Sequence, residues 1–221
     1  MILVLGAKGQ LGKQICVMLS QIGLSFVATD YESLDITDKS SLEHTISSLS
    51  PYIIINAAAF TDVNSAEFKS RDLAYKINVQ ALENICEVLH RKNIAPYIIH
   101  ISTDYVFDGK INDTDKNSGY HEYDITNPVN FYGKSKRQGE LVLEKRYVKY
   151  YIIRTSWLFG VYGSNFVKNI INKILNREEI SVVNNQFGSP TSVTSLTNII
   201  CKITSNIINK VLKQHHYIFS Y

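Results

Sequence analysis

Five short aliphatic runs recur along the chain: ILVL at 2–5, SFVATD at 25–30, YIIIN at 52–56, YIIHIS at 97–102 and YYIIRTS at 150–156. The segments between them are longer and amphipathic or polar. This alternation constrains the fold more than any other feature. Strands buried on both faces and separated by helices are the pattern of β-α-β units, that is, an α/β fold with a doubly wound parallel sheet. Apolar spacing predicts helices over QLGKQICVMLSQIG, SSLEHTISSLS and the whole of SAEFKSRDLAYKINVQALENICEVLHRKN, and another running from NFYGKSK through RQGELVLEKRY. A polar loop is expected from about Asp108 to Asn127. Past Trp157 the reading is a helix near 165–176, a strand at ISVV, a helix near 192–207 and a strand-like run HHYIFSY.

The strand ends are where ligands of such a sheet gather. GAKGQLG follows the first strand directly and opens a helix, with Gly6, Gly9 and Gly12 in G-x-x-G-x-x-G spacing. Glycines permit the tight turn and let backbone N–H groups approach a pyrophosphate, so Gly6, Lys8, Gly9, Gln10, Leu11 and Gly12 are candidate dinucleotide contacts. Asp30 ends the second strand, where a carboxylate accepts hydrogen bonds from an adenosine ribose and repels a 2′-phosphate; this favours NADH. Lys8 pulls toward NADPH. Asp35 and Ile36 could flank the adenine, although an aspartate in a loop commonly serves a turn. Ala57, Ala58 and Ala59 end the third strand, either as a flat cofactor surface or as plain packing. Ser102, Thr103 and Asp104 end the fourth.

Tyr132 and Lys136 are four residues apart and share one helix face. Coming after a dinucleotide-type β-α-β unit and a Ser/Thr strand end, the pair resembles the short-chain dehydrogenase/reductase superfamily. GAKGQLG, NAAAFTDV, STDYVFDG, YHEYD, NPVNFYGKSKRQGE, RTSWLFG, GSNFVKNI and NQFGSPT together resemble the dTDP-4-dehydrorhamnose reductase family of extended short-chain reductases. The resemblance implies a Rossmann-like core over 1–155 and a partial substrate-binding lobe over 156–221. It also implies reduction of the 4-keto group of dTDP-4-dehydro-6-deoxy-L-mannose to dTDP-L-rhamnose, a cell-surface polysaccharide precursor, with NADH or NADPH.

In that scheme Tyr132 donates a proton to the C4 oxygen as hydride arrives. Lys136 lowers the tyrosine pKa and reaches the nicotinamide ribose, and Thr103 hydrogen-bonds the same oxygen. Asp104 and Tyr105 are implied sugar contacts. Trp157 is either a substrate-packing residue or a plain core indole. Family members continue past HHYIFSY, so a shortened chain with an incomplete lobe is expected, with exposed apolar surface and a possible homodimer. Asn185 and Ser195 depart from the acidic residues of the family pattern, and the loop between Phe107 and Tyr120 is expected to be longer than usual.

The readings left open are an NAD-retaining sugar-nucleotide epimerase or dehydratase, and a cofactor-binding relative without turnover. The net charge of +3 has no basic block, which argues against nucleic acid. No apolar run approaches a membrane span and no secretory leader is legible, so a cytoplasmic enzyme is expected. Cys16, Cys86 and Cys201 lack metal-type spacing and are expected as buried free thiols; no metal is assigned.

Overall fold

The computed structural model describes residues 1–110, 119–186 and 188–216, with side chains to Val211. β1 (Ile2–Leu5) is buried along its whole length. Alternate side chains leave a strand on opposite faces, so Ile2 and Val4 enter one apolar layer while Leu3 and Leu5 enter the other. Each such aliphatic side chain contributes about 1.5–3 kcal/mol on burial, which is why helices cover both faces. β2 (Phe26–Thr29), β3 (Ile53–Asn56), β4 (Tyr97–Thr103) and β5 (Tyr150–Thr155) complete a parallel sheet in the order β2-β1-β3-β4-β5. The order reverses between β1 and β3, the switch point at which a crevice opens beyond the strand ends.

The helices in chain order are α1 (Gln10–Gln21), α2 (Lys39–Leu49), α3 (Val63–Phe68), α4 (Arg71–Tyr75), α5 (Ala81–Arg91), α6 (Phe131–Arg146), α7 (Phe166–Leu175) and α8 (Val193–His216). Leu42, Ile46, Leu82, Ile85, Val142 and Leu143 bring α2, α5 and α6 onto one face. Leu11, Ile15 and Leu19 of α1 and Val193, Leu196 and Ile200 of α8 cover the other. The last helix therefore returns to the core sheet. β6 (Leu158–Phe159) and β7 (Thr191–Ser192) form a separate short parallel pair.

Three elements differ from the sequence reading. The helix expected over 65–93 is broken: Ser70 leaves helical geometry, and a π turn at Lys76–Gln80 joins α4 to α5. Phe68 at the break is exposed, so no apolar face carries the helix through it. ISVV is not a strand; Ile180, Val182 and Val183 are exposed and unpaired, and the chain pairs later, at β7. The helix expected to end near 207 runs to His216. Cys86 and Cys201 are buried free thiols, but Cys16 is only half-buried. The final strand-like run from 217 onward, residues 111–118 of the long loop and Phe187 lie outside the described residues. No described helix is long and apolar enough to cross a membrane.

Candidate active site

The glycine-rich turn is built by close approach. Gly6 has φ +79°, and a Cβ there would lie 2.7 Å from Ala58 Cα, so the turn and the Ala57–Ala59 strand end touch through backbone. Ala7 N–H donates to the Thr29 carbonyl at 2.8 Å, and Gly9 N–H to the Gly6 carbonyl at 3.1 Å. Gly9 caps α1 with no side-chain hydrogen bond of its own. A cleft of about 440 Å³ opens here between Gly6, Gly9, Asp30, Ile36, Ala58 and Ile77. Its small residues and tight turn fit the backbone cradle that a dinucleotide requires.

Asp30 Oδ2 lies 3.2 Å from Lys8 Nζ, and Lys8 also pairs with Glu32. Oδ1 of Asp30 accepts from the backbone N–H groups of Glu32 and Ser33. Lost solvation raises the Asp30 pKa, but Lys8 and these N–H donors outweigh it and hold the carboxyl below its ordinary value. Asp35 lines the same cleft, but its carboxylate accepts from Thr37 N–H at 2.8 Å and from Thr37 Oγ1 at 2.7 Å, a turn role. Ile36 is buried behind it.

A second cleft, of about 570 Å³, shares Lys8, Gly9, Ala57 and Ala59 with the first and continues to Thr103, Tyr105, Tyr132, Lys136 and Trp157. Gln10, Leu11, Gly12 and Asp104 also line it. The structure thus gathers every candidate residue into two adjoining clefts at one sheet edge. Register explains the convergence, because Leu5, Thr29 and Asn56 are aligned, as are Asn56 and His100 one strand further on.

Asn130 caps α6 by accepting from Gly133 N–H at 2.7 Å, and this cap sets where Tyr132 emerges. A Cβ at Gly133 would overlap the Tyr105 carbonyl oxygen, so glycine is what lets α6 lie against the end of β4. Tyr132 meets Tyr105 edge-on with ring centroids 5.7 Å apart. Thr103 Oγ1 donates to Asp104 Oδ1 at 3.1 Å and accepts from Tyr105 N–H at 3.2 Å. Trp157 is 41% exposed, with its backbone at φ +45°, and is therefore not a core indole.

Tyr132 and Lys136 lie one turn apart on α6, and both line the second cleft. Burial pushes the Tyr132 phenol up to about 12; the Thr103 hydroxyl opposes this, while Asp104 and Tyr105 add to it. Lys136, 1% exposed, turns its Nζ to the Ile101 carbonyl at 2.7 Å. Burial pushes Lys136 down to about 8 against the opposing charge of Glu140.

Several residues that position the site are ones the sequence reading passed over. Glu140, fully buried one turn beyond Lys136, accepts from Ser102 Oγ at 2.5 Å, from Arg154 at 3.0 and 2.8 Å and from Arg137 at 3.0 Å. Ser102 is thereby committed to structure, leaving Thr103 as the hydroxyl beside the phenol. Asn78, inside the π turn, donates to Ser135 Oγ at 2.9 Å and exchanges hydrogen bonds with the Phe60 backbone. The Gln10 side chain donates to the Leu158 carbonyl at 3.2 Å and accepts from Asn165 Nδ2 at 2.7 Å. These bonds hold the Gln10 side chain toward the β6 and α7 side of the cleft. Among the described residues no cluster of His, Cys, Asp and Glu could hold a metal.

A parallel doubly wound sheet, a glycine turn at its switch point and a Tyr–Lys helix at the same edge define an extended short-chain oxidoreductase. Residues 1–220 match the RmlD substrate binding domain. A dTDP-4-dehydrorhamnose reductase of Aggregatibacter actinomycetemcomitans is 41% identical over 94% of this chain and 68% of its own length. The spore coat polysaccharide biosynthesis protein SpsK of Bacillus subtilis is 38% identical over 93% and 70%. The Bacillus anthracis dTDP-4-dehydrorhamnose reductase, solved in complex with NADP, superposes with a TM-score of 0.84 at 42% identity, covering 93% of this chain and 70% of that one. The chain belongs to the RmlD family, and spans roughly two thirds of the length of these relatives.

Proposed function

We propose that this enzyme reduces the 4-keto group of dTDP-4-dehydro-6-deoxy-L-mannose to dTDP-L-rhamnose in the cytoplasm, supplying a polysaccharide precursor. The observation that carries the reading is the meeting of Thr103, Tyr132 and Lys136 at the mouth shared with the glycine turn. The relatives named as 4-keto-sugar reductases support the substrate class. A nicotinamide dinucleotide would lie along Gly6–Gly12, Asp30 and Ala57–Ala59, and it supplies the hydride when bound.

This chain's own residues do the rest. Tyr132 holds the proton destined for the C4 oxygen, and Lys136 one turn along α6 would stabilise the phenolate left behind. Thr103 orients the same oxygen, and Asp104, Tyr105 and Trp157 line the sugar side. Within 156–221, the described stretch between β5 and α8 would supply the partial substrate lobe, while α8 packs back on the core sheet. Asp30 favours NADH, since its carboxylate and that of Glu32 already occupy Lys8. The test is loss of reduced-nicotinamide absorbance with the 4-keto sugar nucleotide. Tyr132→Phe is expected to lower turnover at least a hundredfold, the scale of one general acid, with dinucleotide affinity retained. Wild-type chain that binds NADH but turns over no 4-keto sugar overturns the reading.

A further inference from the structure

β4 and β5 end side by side, and the register that pairs them sets Thr103 against Thr155. Register partners point to the same face of a sheet, and two residues back on that face Ile101 and Ile153 both pack into the layer of α1 and α8. The two threonines therefore stand together at the floor of the second cleft, which both line. Thr103 Oγ1 has its partners in Asp104 and the Tyr105 N–H. The hydroxyls next along each strand are spent as well: Ser102 donates to Glu140, and Ser156 to the Ser189 carbonyl at 2.6 Å. Thr155 Oγ1 is different, being shut from solvent and without a hydrogen-bond partner among the described residues. A buried hydroxyl is rarely left so, because it has given up water and gained nothing in return.

We propose that the Thr155 hydroxyl anchors the carboxamide of a bound nicotinamide. The two clefts join through Lys8, Gly9, Ala57 and Ala59, so a dinucleotide that enters at Asp30 brings its other end to the ends of β4 and β5. Leu11, Ile101 and Leu158 line the same cleft. Such apolar walls suit a flat ring, and one unspent hydroxyl matches that ring's one polar substituent. A hexose, with hydroxyls on several carbons, would leave most of them unpaired there.

An amide offers both a donor and an acceptor, and a hydroxyl takes either role. One staggered step about Cα–Cβ exchanges the threonine oxygen for its methyl, so a polar group seated at the cleft wall can draw the oxygen to itself. Held at Thr155, the carboxamide fixes how the ring is turned about its bond to the ribose. That rotation decides which face of the ring looks toward Tyr132. The inference rests on the dinucleotide part of the reductase reading and not on the identity of the sugar.

The test is calorimetric titration of the full chain with NADH and with ADP-ribose, which lacks the nicotinamide. Thr155→Val keeps the side-chain shape and removes the hydroxyl. It is expected to weaken NADH about fivefold, the scale of one hydrogen bond, and to leave ADP-ribose unchanged. Thr155→Ser is expected to keep the wild-type NADH affinity. The unliganded Thr155→Val chain is expected to unfold at the same denaturant concentration as wild type or a higher one, since it loses only an unpaired buried oxygen. An unchanged NADH affinity, an equal loss for ADP-ribose, or a loss confined to the sugar nucleotide overturns the inference. Should Thr155→Val not fold, Thr155→Ala set against Thr155→Ser decides by the same NADH comparison. A wild-type chain that binds neither NADH nor ADP-ribose defeats the dinucleotide reading and this inference together, whereas wild-type binding of both with an indifferent Thr155→Val defeats this inference alone.

Discussion

Lys8 bridges Asp30 and Glu32 at the rim of the dinucleotide cleft, so two carboxylates and one cation face whatever sits at the ribose. Asp30→Ala is expected to move the NADPH-to-NADH affinity ratio toward NADPH by about fivefold, the scale of one exposed charge contact. Titrating each dinucleotide against wild type and variant measures it, and an unchanged ratio removes Asp30 from the discrimination. Individual residues were legible in the sequence where a short motif carried them. Tyr132 and Lys136 share a helix face by spacing alone, and the three glycines lie within one turn. Asn56, His100 and Glu140 were not read, because their partners come from other elements and only strand register brings them together. A signal was present nonetheless: a histidine inside the buried run YIIHIS and an asparagine closing YIIIN are polar groups that must find partners.

At the scale of elements, α6 carries both Tyr132 and Lys136 and is fastened to β4 and β5 by the carboxylate of Glu140. Glu140→Gln leaves Arg154 without its charged partner and is expected to cost about 3 kcal/mol in denaturant unfolding, as breaking buried pairs does. Glu140→Leu combined with Arg154→Met is expected to recover part of that loss, because Arg154 is then not left without its partner. Five of the seven described strands and most of the described helices were readable from apolar runs, most of which turn a buried face to the core. The break before α4 and the π turn were not, since the Asn78 contacts to Phe60 and Ser135 that go with them are tertiary. ISVV misled because β-branched residues favour strands only where a neighbour takes their hydrogen bonds.

For the whole molecule, buried titratable groups define two windows of pH-dependent stability. His100 stays neutral when folded but binds a proton near 6.5 when unfolded, so stability is present above that value and falls as pH drops below it. The slope is at most about 1.4 kcal/mol per pH unit for the one proton. Lys136, held to about 8 against an ordinary 10.5, is less protonated in the folded chain across that interval, so it makes stability rise with pH there. Unfolding midpoints measured across pH, with His100→Gln flattening the acid limb, check the first window. The clasp between Gln10 and Asn165 has a further consequence. It ties the first residue of the helix that opens from the glycine turn to the residue that caps α7. A ligand that stiffens one side lowers the entropy still to be lost on the other, so the two affinities are coupled, and coupled equally in both directions. Asn165→Ala is expected to weaken the dependence of sugar-nucleotide affinity on bound dinucleotide, which calorimetric titration of each ligand with and without the other measures.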